Sequence, residues 1–115
     1  MAIRIEHAGD VAIVAPEGIF KGGKKTDELQ ATLTRLIIED GQSTLLDLSH
    51  VDLMSSVAIG VVIVAHTQAE ERGVDFVLCG IQRRVESVLQ ILRRFGPRLR
   101  VFESRDEALK ALQDA

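Results

Sequence analysis

Ile3 and Ile5 alternate with Arg4 and Glu6 near the start of the chain, so residues 2–7 carry the two-residue period of a half-buried strand. His7-Ala8-Gly9-Asp10 reads as a turn and Val11–Ala15 as a second strand, which predicts an N-terminal hairpin. A glycine-rich loop is expected from Gly18 to Lys25. From Thr26 to Asp40, Leu29, Leu33, Leu36 and Ile37 fall at helical spacing, and Gly41 is placed to end that helix in a left-handed conformation. Ser43–Leu48 is a short apolar run between turn residues, the pattern of a buried central strand.

The segment from Val57 to Arg72 is rich in β-branched residues in its first half, yet its unbroken length and its stop at Gly73 suit a helix better than a strand. Its first two turns are apolar on every side. One buried face does not need so many apolar residues, so part of them is expected at the surface, with Val57 or Val61 foremost. Val74–Cys79 reads as a strand, and Gln82–Phe95 as a helix with Val85, Val88, Leu89 and Leu92 on one face. Gly96-Pro97 breaks it. Leu99–Phe102 is a last strand, and Ser104 opens a terminal helix with Glu107 at capping-box spacing and Ala108, Leu109 and Leu112 as its apolar side. A hairpin followed by alternating helices and strands predicts an α/β sandwich around a mixed sheet.

The length, 115 residues, suits a single domain over 1–115 that needs no disulfide or metal to hold its core. With 3% aromatic residues the core must be aliphatic. A net charge of −3 with both signs interspersed, and no Trp or Tyr on which bases could stack, argues against nucleic acid as a partner. The single cysteine, Cys79, fits a reducing compartment and ends an apolar run, so a buried thiol is expected. No signal-peptide core or bilayer-length apolar run is present, which leads to a cytoplasmic protein without direct membrane insertion.

Catalytic chemistry finds little footing. His7, His50 and His66 are scattered, none at a metal-ligand spacing with a carboxylate or cysteine, and they read as solvated or locally bonded. Gly18-Ile19-Phe20-Lys21-Gly22-Gly23-Lys24-Lys25-Thr26 nearly matches a phosphate-cradling loop. That loop needs Ser or Thr directly after its lysine as a magnesium ligand, and Lys25 stands there instead. A small nucleotide-binding or nucleotide-hydrolysing protein is therefore the weaker alternative. No cofactor, metal or catalytic residue is expected.

The informative stretch runs from Leu45-Leu46-Asp47-Leu48-Ser49-His50 through Val51-Asp52-Leu53-Met54-Ser55-Ser56 to Val57-Ala58-Ile59-Gly60. A buried strand leads through a short polar loop to two serines that open an apolar helix. One serine suffices as a cap, which leaves a second hydroxyl at the positive end of the helix dipole. A phosphate there is locally favoured and changes the surface charge by about −1.5 to −2.

The Asp-Leu-Ser-x-Val-x-x-x-x-Ser pattern, Gly60 and the following helix resemble the signature of STAS domains, and among them the anti-sigma factor antagonists. The order of elements agrees over nearly the whole chain. Aligning on Asp47, Val51 and Gly60 puts Ser56, with Ser55 as the alternative, at the serine phosphorylated in that family by an anti-sigma factor that is also a kinase. Ser55 stands where the family usually has aspartate, Val57-Ala58 replaces Ser/Thr-Gly, and Lys21 replaces an acidic loop residue. The resemblance implies a non-enzymatic, transcription-regulating module that sequesters such a kinase. Its contact surface would comprise Lys21, Gly22, Gly23, Ser49, Asp52, Met54, Ser55, Ser56, Val57, Ala58 and Val61. A STAS subunit of a stress-signalling complex or lipid-transport system is the alternative within binding, and self-association stays open.

Overall fold

A computed structural model describes residues 3–95 and 98–113, without the side chains of Leu89 and Phe95. The chain folds as expected, into an α/β arrangement around a mixed sheet. Strand β1 (Ile3–Ala8) and strand β2 (Val11–Phe20) form the antiparallel hairpin. Helix α1 (Lys24–Thr34) runs into a π-helical turn, Arg35–Glu39, and Gly41 follows at φ 59°. Strand β3 (Ser43–Asp47), strand β4 (His50–Met54), helix α2 (Ser56–Arg72) and strand β5 (Phe76–Cys79) come next. A 3-10 turn, Arg83–Val85, leads into helix α3 (Glu86–Phe95). Strand β6 (Val101–Phe102) and helix α4 (Arg105–Gln113) complete the fold. Val85, Val88 and Leu92 are buried as their spacing predicts. The expected break at Gly96-Pro97 and the packing of Leu89 lie outside the described residues.

The sheet runs β1-β2-β3-β5-β6, parallel from β2 onward. Its two faces bury separate aliphatic clusters. Ala12, Val14, Leu46 and Leu78 point toward the side packed with Leu29, Leu33, Ala58 and Val62. Val11, Ile13, Leu45 and Val77 point toward Ala108 and Leu109 of α4. The period-two alternation of β2 and β3 thus serves two hydrophobic layers.

Two expectations need correction, and they are linked. The segment after Asp47 is not a polar loop through to the serines, because His50–Met54 forms β4. The loop expected from Gly18 to Lys25 shrinks to Lys21–Gly23, because β2 continues to Phe20. Each of these two stretches is the other's partner. Val11–Val14 pairs with β3, and Glu17–Phe20 pairs with β4, with a register shift between Gly18 and Ile19 that leaves Asp52 of β4 as the extra residue. Pro16 stands at the handover, where a missing backbone N–H costs least. Neither short polar-apolar run looks like a strand until the other is beside it.

Candidate functional site

The C-terminal ends of β2 and β4 meet the start of α2. Phe20 pairs with Met54, and the Ser55 backbone N–H donates to the Phe20 carbonyl at 2.9 Å. The loop Lys21–Gly23 therefore leaves β2 next to the serine pair. Ser55 is the N-cap, extended at φ −78° and ψ 172°, and its Oγ accepts the Ala58 N–H at 3.4 Å. Ser56 is the first helical residue and is exposed. One hydroxyl caps and the other is free to react or to be covered. The first turn of α2 carries no acidic residue, so the positive end of the helix is unneutralised there.

Exposed apolar side chains gather at this end. Ile19 and Leu53 are cross-strand partners, 49% and 41% exposed, and Val57 is 56% exposed. Val64 lies two turns further along the same face of α2 and is also exposed. Ile19 and Leu53 lie within the stretches expected to make contacts, Gly18–Lys25 and Ser49–Val64, but the sequence singles out neither, since both sit in segments that read as loops. An aliphatic residue inside an apparent polar loop was the only signal.

The anticipated contact residues divide into two groups. Lys21, Gly22, Gly23, Asp52, Ser56 and Val57 are exposed, and Ser49 and Ser55 half-buried. Met54, Ala58 and Val61 are buried in the core, which corrects their place on a contact surface. The register shift at Asp52 turns Met54 to the same buried side as Val51, and Ala58 and Val61 lie one helical turn apart on the face of α2 that packs on the sheet.

The base of β4 is held by polar contacts. Gln82 Nε2 donates to the carbonyls of Ser49 and Val51, and its Oε1 accepts from Arg84, which also pairs with Asp52 at 3.4 Å. Asp47 ends β3 and accepts the Ser49 N–H and Arg105 Nε, each at 3.0 Å. Burial by itself would raise this carboxyl, but the bonds from Ser49 and Arg105 outweigh it and hold it below the usual value. Cys79 beside it is buried, and burial, with the Asp47 charge second, pushes its thiol up to about 12. Such a thiol is protonated at neutral pH and a poor nucleophile.

Of the histidines, His7 and His50 are exposed; His50 contacts the adjacent Ser49, whereas His7 contacts Gln42 from a distant part of the chain. His66 is buried, contrary to a solvated reading, but locally bonded to Glu70 at 3.2 Å. Among the described residues no group of three His, Cys, Asp or Glu is placed to hold a metal. No described helix is long and apolar enough to cross a membrane. The near-match to a phosphate loop loses its loop, since Gly18, Ile19 and Phe20 are strand. Lys25 turns back to donate to the Glu17 carbonyl and sits 4.8 Å over the Phe20 ring.

The family model of the STAS domain matches residues 2–108. The chain belongs to the STAS family. Among curated proteins none matches the sequence. An anti-sigma factor antagonist from Mycobacterium paratuberculosis is similar in structure, with a TM-score of 0.82 at 18% identity over 97% of this chain and 93% of the other. The phosphorylated form of SpoIIAA, the Bacillus cell fate determinant, gives 0.74 at 16% identity over 96% and 98%. A chain of the stressosome, a signal integration and transduction hub, gives 0.75 at 21% identity over 96% of each chain. At these identities the likeness establishes the STAS fold, with strands and helices in the same arrangement.

Proposed function

We propose that this STAS domain is an anti-sigma factor antagonist of the cytoplasm, a binding module rather than an enzyme. Its partner is an anti-sigma factor with serine kinase activity, and Ser56 is the residue that kinase modifies. The observation that carries this reading is the division of labour at the start of α2. Ser55 supplies the cap, while Ser56 stands exposed beside Val57, at the end of the molecule where Ile19 and Leu53 are also bare. A docked partner covers this apolar ground and desolvates Ser56. A neutral hydroxyl tolerates that when hydrogen-bonded, whereas a phosphate or carboxylate becomes an unpaired interfacial charge. The exposed Lys21 and Lys24 border the same end and suit an acidic rim on the partner.

Calorimetric titration against an anti-sigma factor kinase from the same genome tests this. Ser56→Asp should bind at least about tenfold more weakly, and Ser56→Ala should bind like the parent protein. Equal affinities for the two variants, with both folded, would reduce Ser56 to an ordinary helix residue. A second reading, a subunit of a larger signalling assembly, draws on the likeness to the stressosome chain and keeps the same face for contacts.

A further inference from the structure

The outer edge of β1 has no strand beside it among the described residues. The turn that joins β1 to β2 fixes which groups that edge presents. Ala8 pairs with Val11 across the two-residue turn Gly9-Asp10, and Gly9 has φ 60° while Asp10 has none of the left-handed character. In such a hairpin the residues flanking the turn exchange both hydrogen bonds, and the pattern alternates along the ladder. Ala8, Glu6 and Arg4 therefore bond inward to β2. His7, Ile5 and Ile3 direct their backbone N–H and C=O groups outward.

Next to this edge, Ile3 and Ile5 of β1 and Glu28, Ala31 and Thr32 of α1 line an open, mostly apolar groove of about 290 Å³. Edge strands usually carry charges that discourage pairing. Here the charges alternate in sign, and they discriminate among partners. Consider an antiparallel second copy of β1 whose outward groups meet these. Centred between Ile3 and Ile5, the register sets Arg4 against Arg4. Centred between Ile5 and His7, it sets Glu6 against Glu6. Centred on Ile5, it sets Arg4 against Glu6 twice, Ile5 against Ile5, and Ile3 against His7. Opposite charges directly across a ladder stabilise it and like charges destabilise it.

We propose that the β1 edge is a self-association surface, occupied by β1 of a second copy in the register centred on Ile5. The twofold joins the two sheets into one, sets the two apolar grooves side by side, and leaves the Ser56 end of α2 free on both copies. Arg4 is mostly exposed, and among the described residues its ion pair is a 3.9 Å contact to Glu17, so it is available to the second copy. Glu6 already accepts from Arg105 at 2.6 Å, which holds its carboxylate on the same sheet face as Arg4.

Sedimentation equilibrium of the full chain, from micromolar to millimolar concentration, should show the mass rising from 12.6 kDa toward twice that value. Arg4→Glu should weaken association about tenfold or more, since both cross-strand pairs become repulsive. Arg4→Glu combined with Glu6→Arg should restore it. Ile5→Pro removes an outward N–H and the central side chain of the pairing but none of the backbone bonds to β2, and should abolish association while the hairpin stays folded. A monomer at every concentration overturns the proposal, as does a dimer indifferent to Arg4→Glu or to Ile5→Pro. If the charge-swapped chain melts far below the parent because Arg105 is repelled, the Ile5→Pro result decides alone.

Discussion

Helices α2 and α4 each start from a serine whose hydroxyl accepts the backbone N–H three residues on, at 3.4 Å from Ala58 to Ser55 and 3.2 Å from Glu107 to Ser104. Beyond the cap the two helices part ways. In α4 the first turn carries Asp106 and Glu107, which answer the helix dipole, and Arg105 turns inward to Asp47 and Glu6. In α2 the first turn carries Ser56 and Val57, a free hydroxyl and a bare valine, with no charge to answer the dipole. The cap is a structural constant in both. The residues just inside it decide whether a helix start closes on its own molecule or stays open to another. In this STAS domain one helix terminus is tied to its own sheet and the other stands exposed.

Removing the tie behind α4 should have the largest effect. Asp47→Ala leaves Arg105 Nε and the Ser49 N–H without their acceptor, though Glu6 still holds the guanidinium. The expected loss is about 2 kcal/mol after allowance for the partial exposure of Arg105. The pH dependence carries a sign. The folded Asp47 carboxyl lies below its ordinary value, so its stabilisation is complete above about pH 4 and fades as pH falls through the lower, folded value. Denaturant melts of parent and variant should therefore differ most near neutrality and converge in acid. A gap that persists unchanged at pH 2 would show that the carboxylate charge is not what holds α4.

The caps themselves come next in size. Ser55→Ala and Ser104→Ala should each cost about 1 kcal/mol, while Ser56→Ala should leave the melting temperature near that of the parent. If Ser56→Ala costs as much as Ser55→Ala, both hydroxyls are structural and the contrast between the two helix starts fails. The smallest effect sharpens it instead. Ser56→Asp should raise stability by about 0.3–1 kcal/mol, because it gives α2 the acidic first turn that α4 already has. The gain should shrink in high salt, and thermal melts at two ionic strengths would read it.

Much of this molecule was written in local pattern. The leucines at 29, 33 and 36 with Ile37, the stops at Gly41 and Gly73, and the capping spacing at Ser104 each arise from the period or chemistry of adjacent residues. Period, cap and turn act over a few residues, so the chain by itself determines the elements other than β4 and the end of β2, the α/β arrangement and the serine pair at a helix start. The likeness to STAS domains was legible for the same reason, as a motif of neighbouring residues from Asp47 to Gly60.

Only the tertiary structure decided which side chains that local pattern leaves outside. Ile19 and Leu53 become neighbours because β2 changes partner at Pro16 and takes up β4, a pairing between segments distant in the chain that neither segment signals. Met54 and Val61 turn inward and Val57 outward for a similar reason. An apolar helix shows no face of its own, and the sheet beneath α2 chooses which side to cover. Asp47 is an acid at the end of an apolar strand until Arg105, fifty-eight residues later, arrives beside it. Pairing and burial at that range depend on where the whole chain goes, and no local period records it.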